Sequence, residues 1–219
     1  MAKHLERELD KLKKRILALG AQVEERLHTV ARAIETRSLY DAERIIKTDY
    51  EIDHEEVEIE EECLKVMALH QPVAADLRLI VVTIKINNEL ERIGDETANI
   101  ARRVKKIIQK KNGCQLVYDF SEILTKCQTM LRNSLDSLVG MDVDLAFKVL
   151  VTDDEVDLLD RNLYKKMIND VRNCPEGSEY LINMYWLSRH LERIADHATN
   201  IAEEVIYLIE GEIVRHRTY

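Results

Sequence analysis

Two stretches in opposite halves of the chain are near copies of each other: Leu90-Glu91-Arg92-Ile93-Gly94-Asp95-Glu96-Thr97-Ala98-Asn99-Ile100-Ala101 and Leu191-Glu192-Arg193-Ile194-Ala195-Asp196-His197-Ala198-Thr199-Asn200-Ile201-Ala202. Eight of the twelve positions are identical. A repeat of this kind pushes both halves toward one shape, because the arrangement that buries the shared apolar positions in one half also buries them in the other. The shared set includes Glu91/Glu192, Asp95/Asp196 and Asn99/Asn200, spaced four apart. Packing does not require polar identities, so the repeat points to chemistry as well as to fold.

Apolar residues at Ile16, Leu19, Val23, Leu27, Val30 and Ile34 recur every three or four positions, which predicts a first helix. Ser38, with Asp41 three residues on, reads as a helix start, and a second helix runs through Ile45, Ile52, Ile59, Cys63 and Val66. Pro72 suits the first turn of a third helix through Leu77, Ile84, Leu90, Ile93, Ile100, Val104 and Ile107, closed by Lys110-Lys111-Asn112-Gly113. The plan then restarts. Helices are expected from about Phe120 to Val139, from about Asp142 to Val171, and from about Ser178 onward, with a turn at Asn173-Cys174-Pro175-Glu176-Gly177. The expected fold is all-α: two tandem antiparallel three-helix bundles related by internal duplication, spanning residues 1–113 and 114–219 with the boundary near Asn112 to Val117.

Alignment of the halves exposes a second repeated acidic pair, Asp49 and Asp53 against Asp153 and Asp157. Residues four apart stack on one helix face. In an antiparallel hairpin, residues equidistant from the turn lie at one height. Asp53 with Glu91, and Asp49 with Asp95, both centre on Pro72; Asp157 with Glu192, and Asp153 with Asp196, both centre between Cys174 and Pro175. Four carboxylates are therefore expected at one level in each bundle. Arg92 and Arg193 follow their Glu directly and point about 100° away around the helix, so they do not neutralise the cluster. A bound metal ion fits better. An all-oxygen donor set, with the amides of Asn99 and Asn200 one turn on, suits Mg²⁺, Mn²⁺ or oxidised iron. On the third helix the apolar stripe and Glu91/Asp95 diverge by roughly 140 to 180° on an ideal wheel, which places the cluster toward the bundle surface.

A lone Glu-xxx-Asp in a chain that is 33% charged is ordinarily a solvated helix face, and here duplication and mirror placement argue otherwise. Glu25 with His28, and Glu51 with His54, match the Glu-x-x-His spacing of di-iron bundles, but neither His repeats: Arg132 and Leu158 occupy the aligned positions. His197 reads as a surface residue, and Trp186, Tyr180 and Tyr185 as packing. A net charge of −9 disfavours nucleic acid as a partner. The amino terminus lacks the apolar stretch of a secretory signal, and no run reaches the roughly twenty apolar residues of a membrane span. Cys63, Cys114, Cys127 and Cys174 form no CxxC pair, which fits buried free thiols in a reducing, cytoplasmic setting.

The chain resembles the PhoU family of phosphate-transport accessory and regulatory proteins. The resemblance rests on Gln71-Pro72-Val73-Ala74-Ala75-Asp76-Leu77-Arg78, on Leu90 to Asp95, and on His190 to Glu204, and it extends over nearly the whole length. It implies two three-helix bundles and metal ions held at Glu91/Asp95 and Glu192/Asp196. It also implies a cytoplasmic, non-enzymatic negative regulator of phosphate uptake and of the phosphate-starvation response. The implied partners are the ATPase subunit of a phosphate ABC transporter and a phosphate-sensing histidine kinase, with the membrane reached only through them; a homodimer is compatible with this picture. The residues by themselves leave two rivals open, a metal-dependent helical-bundle enzyme of di-iron or phosphohydrolase type and a metal-storage protein.

Overall fold

Helix α1, Ala2–Thr36, buries Leu9, Leu12, Ile16, Leu19, Val23, Leu27 and Val30 on one stripe, and its far side faces water. The computed structural model describes residues 2–109 and 116–214. Six further α-helices follow: α2 Leu39–Lys47, α3 Tyr50–His70, α4 Ala74–Gln109, α5 Ser121–Gly140, α6 Val143–Asn173 and α7 Ser178–Glu210, with a 3-10 turn at Pro175–Gly177. No strand occurs among the described residues. Two helix starts are capped by the local sequence: the Ser38 side chain accepts from the Asp41 N–H, and the Asp142 side chain from the Leu145 N–H. The expected boundary segment overlaps residues 110–115, which lie outside the described residues together with Cys114 and the Lys110 to Gly113 closure.

The expected second helix is two helices in the first half and one in the second. α2 ends and α3 begins around Thr48 and Asp49. Arg26 of α1 explains the interruption: its guanidinium takes the Thr48 carbonyl, the Thr48 hydroxyl at 2.8 Å and the Asp49 carboxylate at 2.9 Å. The offset that relates Asp49 to Asp153 puts Met130 in the place of Arg26. Met130 offers no donor, and α6 runs through unbroken. Pro72 also differs from expectation. It lies buried in the connection, and α4 starts two residues later.

α4 and α7 pack antiparallel against each other and join the two halves, while α1, α2 and α3 pack on α4, and α5 and α6 on α7. This double duty buries α4 almost all round, from Ile80 and Ile86 through Leu90, Ile93 and Ala98 to Ile100 and Val104. His197, expected at the surface, is half-buried in this seam, where its Nδ1 meets Glu89 Oε2 at 2.7 Å. Cys63 and Cys127 are buried free thiols. Cys174 is disulfide-bonded, contrary to the expectation of a free thiol. Spacing along the chain does not reveal which cysteines meet in space, and Cys174 caps α6 in an irregular turn. No helix among the described residues is long and apolar enough to cross a membrane.

Candidate metal centres

The first cluster forms where α3 passes α4. One carboxylate oxygen from each of Asp53, Glu91 and Asp95 lies within 4.8 Å of the other two. A hard cation with bonds of about 2.0 to 2.6 Å spans about 4 to 5 Å between opposed ligands, so this spacing accommodates one. Asp53 and Asp95 are exposed and Glu91 half-buried, which matches the expected surface position. Burial first, then the charges of Asp95, Glu56 and Asp53, push the Glu91 carboxyl above its ordinary range. Asp95 rises for the same reasons, burial leading and Asp49 and Asp53 following. Glu56 is a further member, raised by burial and by Glu60 and Asp53.

Asp49 is held differently from its expected rung partner Asp95. Arg26 takes one oxygen at 2.9 Å and Arg102 the other at 3.2 Å. Arg102 also donates to Asn99 Oδ1 at 2.8 Å, so that amide oxygen is engaged by an arginine. In the second half the Asn200 amide nitrogen donates to Glu89 at 3.1 Å. The expectation that four acids and an amide converge is thus replaced, in the first half, by a three-carboxylate group with Asp49 neutralised beside it.

In the second cluster α6 supplies Asp153 and Asp157, and α7 supplies Glu192 and Asp196. Burial and then Asp157 push Asp153 up to about 6, a hydrogen bond with Thr199 partly offsetting them. Burial, Asp153 and Asp157 push Asp196 up to about 6 as well. Glu192 rises through burial and Asp196. Arg189 enters this cluster as its counter-charge, donating to Glu192 at 2.9 Å and to Asp160 at 3.1 Å, while Ser188 donates to Asp160 at 2.6 Å. Asp157 pairs with Arg161 at 2.6 Å. Glu192 Oε2 is buried with no hydrogen-bond partner among the described residues.

Sequence reasoning tested Arg92 and Arg193 as counter-charges. Arg92 indeed turns to Asn88, and Arg193 to Glu96. It missed Arg26, Arg102, Arg189, Glu56 and Asp160. Three of these omissions had a signal: the mirror that pairs Asp157 with Glu192 also pairs Asp160 with Arg189, and in the first half it pairs Glu56 with Asn88. Arg26 and Arg102 left none, because they reach Asp49 from a third helix and from a higher turn.

Asp53, Glu91 and Asp95 fit a hard cation by geometry, whereas among the described residues the second cluster brings no three acids within that spacing and fits one by its chemistry alone. Every donor is a carboxylate, burial and mutual repulsion disfavour the charged acids by themselves, and Glu192 Oε2 lacks a proton donor. A cavity of about 540 Å³ opens elsewhere, lined by Ile34, Tyr118, Phe120 and Tyr180 among others, and none of the candidate ligands lines it. The model of one family, described as the PhoU domain, matches this chain twice, at residues 16–104 and 120–205. The two matches fall one on each half. The chain belongs to the PhoU family. Among PhoU relatives, the phosphate-specific transport system accessory protein PhoU homolog of Aquifex aeolicus is 38% identical over 96% of this chain and 95% of its own length. The homolog of Pseudomonas aeruginosa is 34% identical over 95% of this chain and 86% of its own. The crystal structure of PhoU from Pseudomonas aeruginosa superposes with a TM-score of 0.91 at 33% identity, covering 94% of this chain and 99% of that one. The crystal structure of the phosphate transport system regulatory protein PhoU from Streptococcus pneumoniae gives 0.88 at 28% identity, covering 96% of this chain and 99% of that one.

Proposed function

We propose that this PhoU-family chain is a metal-binding accessory protein of a phosphate-specific transport system that restrains uptake and quiets the phosphate-starvation response when phosphate is plentiful. It acts in the cytoplasm as a non-catalytic adaptor between the ATPase subunit of the phosphate transporter and a phosphate-sensing histidine kinase. The observation that carries the metal part is the Asp53/Glu91/Asp95 group, three carboxylate oxygens within 4.8 Å on two helices. The names of the relatives, all accessory proteins of phosphate transport, support the role.

Asp53, Glu91 and Asp95 hold one ion, and Asp153, Asp157, Glu192 and Asp196 another, with Mg²⁺, Mn²⁺ or oxidised iron as the matching cations. Bound metal supplies positive charge and open coordination positions on an otherwise acidic surface, which suits recognition of acidic or phosphate-bearing groups. α3/α4 and α6/α7 contribute rigid faces that fix the carboxylates. Elemental analysis and Mn²⁺ titration of purified protein test the sites: Asp95→Asn and Asp196→Asn should each weaken metal binding at least about tenfold. Unchanged metal content in both variants overturns the assignment. Co-purification of the wild-type chain with the transporter ATPase subunit and the kinase from phosphate-replete cells tests the adaptor role, and recovery of neither overturns it.

A further inference from the structure

The face of α3 that points away from the bundle is apolar where the fold does not need it to be. Ile52, Ile59, Cys63 and Val66 form the buried side of α3, packed on α1 and α4. On the opposite side Tyr50, Val57 and Leu64 stand 64%, 51% and 51% exposed. They recur every seven residues, so they form one straight seam about 21 Å long on a helix rising about 1.5 Å per residue. The second repeat is the internal control. The offset that relates Asp53 to Asp157 puts Asp154, Arg161 and Ile168 at these positions, so a helix in this place folds with two of the three charged.

The seam has acidic flanks. α3 carries eight acidic residues against one lysine, with Asp53 and Glu60 along one side of the seam and Glu58 and Glu61 along the other, all exposed. The corresponding stretch of α6 has Lys165 and Lys166 where α3 has Glu61 and Glu62. Such a face repels an anionic membrane and repels itself, since pairing α3 with α3 of a second copy would set the four flanking acids against four more. A knobs-into-holes partner with basic flanks satisfies both the seam and the charge. We infer that the outer face of α3 is a docking site for an amphipathic helix of a partner protein whose apolar seam is flanked by lysine or arginine. Tyr50, Val57 and Leu64 supply the apolar contact, and the flanking carboxylates set the partner's sign and speed its approach.

The probe is a four-heptad synthetic helix with leucine along its seam and lysine on both flanks, titrated against the full chain by fluorescence anisotropy in EDTA, so that the result is independent of the metal sites. The lysine-flanked peptide is expected to bind. Its affinity should fall at least about tenfold with the Val57→Ser/Leu64→Ser chain and again at high salt, and a glutamate-flanked twin should not bind. Melting by circular dichroism verifies that the double variant stays folded, as the exposure of both side chains leads one to expect. Four results overturn the inference: no binding by the lysine-flanked peptide, equal binding to the double variant, equal binding of the glutamate-flanked twin, or a wild-type dimer in sedimentation that the double variant dissolves.

Discussion

At Asp153 and Asp196 burial acts first and the neighbouring acids second, and together they push both carboxyls up to about 6 from an ordinary 3.8. In metal-free protein the sign follows from proton counting. Between pH of about 4 and 6 the folded chain holds protons that the unfolded chain has released, so stability falls as pH rises through that window and stays low above it. Glu89 and Glu96 act the other way. Burial is the largest single influence and disfavours their charge, but His197, Asn200 and Arg92 around Glu89, and His190 and Arg193 around Glu96, together outweigh it and hold both carboxyls below the ordinary 4.5, so their contribution is lost as pH falls below that value. EDTA-treated protein should therefore melt at a higher temperature near pH 5 than at pH 7.5, and Asp196→Asn should flatten the difference. Mn²⁺ affinity should show the opposite trend, falling about tenfold per pH unit for each proton displaced below pH 6, measured by titration calorimetry.

Among the elements, the α3/α4 contact shows how the two repeats solve one packing problem with different residues. A Cβ added at Gly94 would sit 3.0 Å from Ile52 Cδ1 and 3.2 Å from its Cγ2. The second repeat places Ala195 at the matching position and Val156 opposite, so one carbon has moved from one helix to the other. Gly94→Ala alone gains helix propensity but presses on Ile52; Ile52→Val alone leaves a small void. The pair should be more stable than the sum of the singles by about 1 kcal/mol, read from urea denaturation in a double-mutant cycle. Gly94 adjoins Asp95, and Ile52 adjoins Asp53. The same contact therefore sets the distance between two candidate ligands, and a bulky Gly94→Val should weaken Mn²⁺ binding together with stability.

Across the whole molecule, duplication is used twice, once for each bundle and once for the seam between them. The relation that equates Leu90 with Leu191 equates Glu89 with His190 and Glu96 with His197. The observed pairs are Glu89 with His197 and Glu96 with His190, so a pseudo-twofold axis exchanges them. It also exchanges the Lys85–Glu204 ion pair at 3.1 Å with the stacking of Arg103 over Trp186 at 5.4 Å. Glu96 and His190 are both buried, and Arg193 reaches Glu96 at 3.3 Å. His190→Ala leaves a buried carboxylate with Arg193 as its one remaining partner and should cost about 3 kcal/mol in chemical denaturation. Glu96→Gln in the same chain should recover part of that loss, because the uncompensated charge is then gone.

The sequence by itself determined the helices, the two matching halves and the meeting of Asp53 with Glu91 and Asp95. These follow from the helical repeat and from counting residues outward from Pro72 and from the point between Cys174 and Pro175, which are local properties. It showed Ser38 and Asp142 as starts for the same reason. Only the tertiary structure decided which arginines neutralise which carboxylates, that Arg26 splits the second helix, that His197 is an interface residue, and that Asn99 and Asn200 bond to Arg102 and Glu89. Those outcomes depend on how far each helix is rotated and where one bundle docks on the other. Periodicity along a single chain fixes neither.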